Sequence, residues 1–327
     1  MTSAADVPLL MIAFNRPEKT SRVLEAVRAL APRRLYVAVD GPRADRPDEA
    51  ERCARTRQVF DDVDWPCEVK TLFRERNLGC KHGVGTAIDW FLADAEAGII
   101  LEDDCVPTPD FFPFCAELLD RYRDAPEVMM ISGHNSLGAW DQSGASYVFS
   151  RTTPIWGWAT WRRAWALYDP ALTRWADPRA REIVRARMPR TEFRITRQRF
   201  DSVYTQRRDT WDYGWAFAML TAGGYSVIPA RNLITNIGFD QEATHTTRPS
   251  PHEVNVPTYR LAFPLTHPAS VGPDDDFERA LFRHRFPVMR RMVTTLSPRI
   301  QAGIGAAIRP LAAALPRSAR QSLQDRR

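Results

Sequence analysis

Residues 99–112 read IILEDDCVPTPDFF, in which an apolar run ends directly in three consecutive carboxylates. The run is typical of a buried β-strand, and Glu102, Asp103 and Asp104 follow at its carboxyl end. Adjacent negative charges repel one another, and removing a carboxylate from water is costly unless a cation or a hydrogen-bond donor compensates it. Such a cluster caps a helix, decorates a solvated turn or binds a divalent metal, and the rest of the chain has to distinguish these roles.

The first half of the chain alternates strand-like and helix-like patterns around this run. Further strand-like runs are VPLLMIAFN (7–15), RLYVAVDG (34–41), CEVKTLF (67–73) and EVMMISGHN (127–135), and segments with helical spacing separate them. This order predicts βαβ units and an α/β fold, with a mainly parallel central sheet flanked by helices. Open α/β sheets bind ligands at the carboxyl ends of their strands, so the acidic triplet is expected at a ligand site.

The regular alternation stops near residue 136, where tryptophans and basic helical segments become frequent. We expect residues 1–250 to form one domain, with a nucleotide-binding half at 1–135 and an acceptor-binding half at 136–250. Within the second half, RTTPIWGWATWRRAW (151–165) is predicted as a loop that enters a helix. Residues 251–327 are predicted to be a helical and basic extension.

The composition is that of an ordinary globular protein, with 44% hydrophobic and 26% charged residues and a net charge of +5. Five cysteines without a C-x-x-C pair argue against a disulfide framework or a zinc site. We find no signal-peptide pattern and no apolar run of about 18 residues, and we therefore expect a cytoplasmic protein. The arginines are spread through the second half without a nucleic-acid-binding motif, so no nucleic-acid partner is expected.

A phosphate-binding glycine loop does not follow the first strand. AFNRPEKT (13–20) stands there, which matches neither a P-loop nor the dinucleotide-binding G-x-G-x-x-G. Hard divalent cations such as Mg²⁺ and Mn²⁺ commonly bridge one or two carboxylates to substrate phosphates, and they stabilise a diphosphate leaving group. The triplet therefore fits a Mn²⁺ or Mg²⁺ site, and a solvated turn or a helix cap is the alternative.

Six segments of the chain together resemble the GT-A fold glycosyltransferases. They are AFNRP (13–17), VAVDG (37–41), GCKHGVGTAI (79–88), IILEDDCVPTPDFF (99–112), TWDYGWAF (210–217) and NIGFDQEATHT (236–246). Among these enzymes the chain is most similar, over residues 8–247, to N-acetylglucosaminyltransferase I and to bacterial haemolysin-like glycosyltransferases. The resemblance implies a metal-dependent, inverting enzyme that transfers a sugar from a UDP-linked donor to a hydroxyl of a glycan, a lipid-linked glycan or a small molecule.

The same resemblance implies roles for five residues of the first half. Arg16 and Asp40 would contact the nucleotide base. Glu102 and Asp103 would touch the donor sugar and its ribose, and Asp104 would coordinate the metal. The structural alternatives are a first-turn helix residue for Arg16 and a turn residue for Asp40.

The remaining candidates flank these residues in sequence. Asp212 would be the general base, although related enzymes carry two adjacent acids where this chain has Asp212 and Tyr213, and an N-cap is its alternative role. His245 would bind the metal or the diphosphate, or be an ordinary loop histidine. Lys81 and His82 would bind the nucleotide sugar, or only begin a solvated helix.

Aromatic residues offer a surface for sugars. Trp156 and Trp158 flank Gly157, and they would stack on a donor or acceptor sugar or pack in the core. His134, near the end of the strand-like run at 127–135, is a further candidate for the site.

Two rival functions remain open: a nucleotidyltransferase acting on a sugar phosphate, and a non-catalytic basic binding module. The C-terminal segment 297–327 spaces its apolar residues almost helically among arginines. It would either pack on the core or make a weak contact with an anionic membrane at its inner face.

Overall fold

The computed structural model of the protein describes residues 3–239 and 256–286. Within these residues the strands are β1 (Leu9–Ala13), β2 (Arg34–Val39), β3 (Glu68–Phe73), β4 (Ala97–Glu102), β5 (Cys105–Pro107), β6 (Val128–Ser132), β7 (Tyr147–Ser150), β8 (Trp158–Trp161), β9 (Tyr225–Pro229) and β10 (Ile234–Asn236). The helices are α1 (Pro17–Arg28), α2 (Glu49–Gln58), α3 (Gly79–Asp94), α4 (Phe111–Arg121), α5 (Arg162–Trp165), α6 (Pro178–Ala186), α7 (Arg190–Tyr204), α8 (Asp212–Ala222) and α9 (Asp275–Arg285).

Eight strands form one sheet in the order β3-β2-β1-β4-β8-β6-β9-β7. The pairs β3/β2, β2/β1 and β1/β4 are parallel, as the alternation of strands and helices predicts, and β6/β9 is parallel as well. However, β8 lies antiparallel between β4 and β6, and β7 lies antiparallel beside β9. The prediction of an α/β fold with flanking helices is confirmed, whereas the prediction of a mainly parallel sheet is wrong because the sheet is mixed.

The antiparallel strand β8 was predicted as a loop, and its burial explains the error. Trp158 packs into the core on one face of the sheet, while Ala159 and Trp161 pack into the core on the other face. A strand that is covered on both faces lacks the alternation of apolar and polar residues by which strands are recognised. The strand is also short and follows Gly157, which reads as a turn in the sequence.

Helices cover both faces of the sheet and create two main cores. α1 and α4 contribute Val23, Val27 and Phe114 to one core. α3 and α8 contribute Phe91 and Trp215 to the other. A smaller core joins α6 and α7 to α8. Because β3, β2, β1 and β4 run parallel to one another, the polar residues that follow these strands are brought together at one edge.

Residues 256–286 return to the sheet. Phe277 and Leu281 of α9 are buried against Trp140 and Val148, and Arg151 forms an ion pair with Glu278. His245 and the C-terminal segment predicted to pack on the core or contact a membrane lie outside the described residues.

No helix in the described part of the chain has the length and apolar character needed to cross a membrane.

Gly157 tests the packing around β8. It adopts a φ of +58°, and a Cβ at this position would lie 2.4 Å from Cδ1 of the buried Ile234. Gly157→Ala is expected to lower the free energy of unfolding by about 2–4 kcal/mol, because it adds both backbone strain and a steric overlap.

Gly144 is the matched control, since its φ is +65° but nothing lies within 4 Å of the position of a Cβ. Gly144→Ala is expected to cost about 1 kcal/mol from the backbone alone. Chemical denaturation measures both variants, and equal losses would contradict the packing argument.

Candidate active site at the carboxyl edge of the sheet

The acidic triplet lies where β1 and β4 end side by side. Glu102 is the last residue of β4, and Ile12 of β1 is paired with it. Beyond the strands, the N–H of Phe14 donates to Asp103 Oδ2 at 3.3 Å, which ties the segment after β1 to the segment after β4. The sequence therefore predicted correctly that this cluster follows a buried strand at the edge where parallel strands end.

Arg16 supplies the cation that the triplet requires. Its Nη1 lies 2.9 Å from Asp104 Oδ2 and 3.6 Å from Asp103 Oδ1. Only 11% of the Arg16 side chain is exposed to solvent. Burial alone would lower the pKa of Arg16, but the charges of Asp103 and Asp104 raise it, so the guanidinium remains charged. Arg16 therefore binds the carboxylates themselves in this structure.

One guanidinium does not neutralise three carboxylates. Burial raises the pKa of Glu102, and the neighbouring charges of Asp104 and Asp103 raise it further. Burial likewise raises the pKa of Asp103, although Arg16 opposes that shift. Burial is the largest cause of both shifts, and repulsion among the three carboxyl groups adds to it. A further cation would relieve this repulsion.

The short antiparallel pair of β5 and β10 covers Asp104. Asn236 Nδ2 lies 3.5 Å from Asp104 Oδ1, and the N–H of Ile237 donates to the Asp104 carbonyl at 2.8 Å. A Cβ on Gly238 would lie 2.2 Å from Asp104 Oδ2, so a side chain there would displace the carboxylate. Asn236 and Gly238 were not among the predicted site residues, and the N-x-G that follows a strand-like run is the signal that could have identified them.

Asp40 organises the loop that leads from β2 towards α3. Its carboxylate accepts the N–H of Gly41 at 3.0 Å, the N–H of Leu78 at 3.0 Å and Nδ2 of Asn77 at 3.0 Å. Burial raises the pKa of Asp40, and these donors oppose that shift. These contacts are those of a turn residue, which is the alternative role that the sequence left open for Asp40.

Asp209 caps α3 from the loop before α8. Its carboxylate accepts the N–H groups of Cys80 at 3.0 Å and Lys81 at 3.2 Å. These first-turn donors of α3 are thus bonded to a protein carboxylate, which occupies the position where a helix N-terminus would bind a phosphate. Lys81 and the exposed His82 can reach a ligand only through their side chains. Sequence reasoning missed Asp209, because its partners lie about 129 residues away.

Asp212 is a carboxylate of the second half of the chain that lies near the triplet. It is the first residue of α8, it is half-buried, and the hydroxyl of Thr210 donates to it. Burial raises the pKa of Asp212, and Thr210 opposes the shift. Burial and the charges of Asp104 and Asp103 raise the pKa of Glu102, and the charge of Asp212 raises it further. Two separate sources of carboxylate therefore meet at this edge.

Trp158 does not lie at the surface. Its side chain is 1% exposed and stacks on Trp211, with the rings 5.6 Å apart and inclined by 17°. The predicted sugar contact therefore does not suit Trp158. Its ring instead supports Trp211, the residue immediately before Asp212. Trp156 is half-buried, and its ring lies 4.5 Å from His134 and 5.3 Å from Phe239.

The donors available for a metal are the oxygens of the triplet. Within residues 3–239 and 256–286, no three His, Cys, Asp or Glu side chains are grouped as a metal site. Magnesium-like ions need no such group when substrate phosphates and water complete their coordination around one or two carboxylates. The half-buried Asp104 is suited to that arrangement, because it is a hard oxygen donor with two further carboxyl groups beside it in the sequence.

Comparisons with known proteins give weak structural similarities. No family model and no curated protein matches the chain. HddC from Yersinia pseudotuberculosis is 10% identical with a TM-score of 0.30, over 48% of this chain and 77% of that protein. Its complex with GMP-PN is 12% identical with a TM-score of 0.27, over 44% and 60%. The apo form of mouse xyloside xylosyltransferase 1 is 10% identical with a TM-score of 0.33, over 66% and 81%. These scores are too low to support an assignment, so the function is argued from the site.

The buried His134 gives the protein a specific sensitivity to acid. Burial, together with the nearby charge of Arg285, lowers the pKa of His134 from 6.5 to about 3. Because the folded state holds this imidazole neutral, its contribution to stability is complete above pH 6.5 and is lost as the pH falls towards 3. Between pH 6.5 and pH 5, the loss is expected to be about 2 kcal/mol.

His134→Gln should remove this part of the acid destabilisation, whatever its effect on stability at neutral pH. His82→Gln, at an exposed position of α3, should retain it. Denaturant unfolding at two pH values on either side of 6.5 measures the difference. Identical pH dependence in the wild type and His134→Gln would contradict the assignment.

Proposed function

We propose that the protein is a metal-dependent, inverting glycosyltransferase of the GT-A type, which transfers a sugar from a UDP-linked donor to a hydroxyl of a glycan or lipid-linked acceptor. The observation that carries this proposal is the meeting of two carboxylate sources at one sheet edge. The triplet at the end of β4 places three carboxyl groups around the guanidinium of Arg16, and Asp212, the first residue of α8, lies near enough for its charge to act on Glu102. Transfer with inversion needs these two functions in separate places.

Asp212 is the proposed general base. The acceptor oxygen attacks the anomeric carbon, forms a new C–O bond and gives its proton to Asp212. The bond from the anomeric carbon to the diphosphate breaks at the same time, and its electron pair leaves with the nucleoside diphosphate. Burial raises the pKa of Asp212, which makes it a stronger proton acceptor than a solvated aspartate once it is ionised.

Asp104 is the proposed metal ligand, with the donor phosphates completing the coordination of Mn²⁺ or Mg²⁺. The cation would supply positive charge for the departing diphosphate. Arg16 holds Asp104 through the 2.9 Å contact and keeps it turned towards the site. Glu102 and Asp103 are proposed to bind the sugar and ribose hydroxyls of the donor. Trp156 is proposed as an acceptor contact.

Replacing Asp212 by asparagine should separate catalysis from binding. Asp212→Asn keeps the shape of the side chain and removes the proton acceptor, so turnover is expected to fall by about 10²-fold or more while UDP binding is retained. The readout is UDP released from a UDP-sugar in the presence of acceptor.

Asp209→Asn removes a carboxylate from the same loop and is the matched control, which is expected to stay within several-fold of the wild type. If Asp212→Asn keeps full turnover and loses UDP binding instead, Asp212 belongs to the donor site and another group is the base.

Asp104 and the metal should act together. Removing Mn²⁺ and Mg²⁺ with a chelator is expected to abolish transfer, and Asp104→Asn is expected to remove the part of UDP affinity that depends on Mn²⁺. Asp124→Asn, which changes an exposed carboxylate beyond α4, should change neither quantity. A folded Asp104→Asn variant with full metal-stimulated activity would contradict the metal assignment.

A further inference from the structure

The positive charge of the described chain is concentrated in residues 174–208, here named the basic lobe. This segment contains eleven arginines and four carboxylates, a net charge of +7, whereas the whole chain carries +5 and the residues outside the lobe therefore carry −2. α6 and α7 form most of the lobe, and they pack on α8 through a small core that includes Trp175 and Phe200. The lobe is thus a folded, strongly basic projection from a body of opposite net charge.

Most of this charge faces solvent. Eight of the arginines are exposed: Arg174, Arg179, Arg185, Arg190, Arg197, Arg199, Arg207 and Arg208. Within the described residues, two of these eight form ion pairs, Arg185 with Glu182 and Arg197 with Asp201. Exposed pairs of this kind hold little energy and are screened by salt. The outer surface of the lobe therefore keeps most of its positive potential.

Several other arginines of the lobe, exposed or half-buried, contact aromatic rings. The guanidinium of Arg181 lies 5.3 Å from the ring centre of Trp175. Those of Arg199 and Arg208 lie 5.7 and 5.6 Å from the ring centre of Tyr213. Such contacts orient a guanidinium without removing its charge. Trp175 is itself buried, and two guanidinium groups lie over the ring of Tyr213, so neither ring offers an open face on which a base would stack. This disfavours a single-stranded nucleic acid as the partner.

Large apolar side chains are exposed among these arginines. Ile183 of α6 is 39% exposed and Tyr204 at the end of α7 is 41% exposed. Leu167, which lines a cleft with Arg174 beside the lobe, is 51% exposed. Arginine next to exposed aliphatic and tyrosine side chains is the composition of a surface that lies on a bilayer, since the charges meet anionic headgroups and the apolar groups enter the interface.

We propose that the basic lobe docks the protein on a membrane that contains anionic lipids. The lobe adjoins the candidate active site, because Arg199 and Arg208 contact Tyr213, the residue after Asp212. Docking through the lobe would bring that site to the membrane surface. The proposal does not rest on the proposed function, since binding to lipid requires no catalysis.

Co-sedimentation of the full chain with vesicles tests the docking surface. We expect binding to phosphatidylcholine vesicles that contain about one third phosphatidylglycerol, little binding to pure phosphatidylcholine, and loss of binding when salt is raised roughly tenfold from a low concentration. The triple variant Arg174→Gln, Arg179→Gln, Arg190→Gln removes three exposed charges that form no ion pair within the described residues. It is expected to weaken vesicle binding at least tenfold.

Two matched triple variants locate the effect. Arg22→Gln, Arg46→Gln, Arg283→Gln removes the same charge from exposed positions elsewhere and should bind vesicles like the wild type. Changing Arg309, Arg317 and Arg320 of the C-terminal segment to Gln should also leave binding intact.

Three results would overturn the proposal: no binding of the wild type at low salt, equal losses in the lobe variant and the elsewhere variant, or a loss in the C-terminal variant alone. Binding to a random oligonucleotide but not to vesicles would likewise overturn it, in favour of a nucleic-acid surface. UDP binding, measured on the same samples, reports the candidate active site separately. A failed docking result with intact UDP binding therefore leaves the proposed function standing.

Discussion

The pairing of Arg16 with Asp103 and Asp104 is the interaction on which the candidate site depends. The sheet forces three consecutive carboxylates into the end of a buried strand, and such a cluster is unstable without a compensating cation. Arg16 provides one because β1 and β4 are neighbours, so the residues that follow them meet. The guanidinium contacts Asp103 and Asp104, while burial and the charges of these two neighbours raise the pKa of Glu102. Under the proposed function, a divalent cation would complete the compensation.

The second constraint is the aromatic packing that positions Asp212. Trp211 is buried and stacks on Trp158 of β8, while Trp215 lies one turn further along α8 in the same core. Because β8 is itself inserted beside β4, the strand that ends in the triplet and the helix that begins with Asp212 share one rigid support. Precise placement of two chemical functions requires such support, since sites on unsupported loops are looser.

The sequence predicted the parts of the molecule that have local signals. β1 to β4 and their helices follow from apolar runs and helical spacing, and the position of the triplet follows from the strand it ends. β8 escaped prediction because it is covered on both faces, and the sequence left Trp158 open between a sugar contact and the core, to which it belongs. The bonds of Arg16 to the triplet and of Asp209 to α3 join residues 88 and 129 positions apart, and no local pattern encodes them.

Metal-dependent sugar transfer is measured most directly as the release of nucleoside diphosphate from a panel of nucleotide-diphosphate sugars. Mn²⁺ is present, and the donor and acceptor sugars are varied. We expect a UDP-sugar to be cleaved to UDP in a reaction that requires the metal and an acceptor hydroxyl. Cleavage of no donor in the panel, combined with release of pyrophosphate from a nucleoside triphosphate and a sugar phosphate, would contradict this expectation and identify a nucleotidyltransferase.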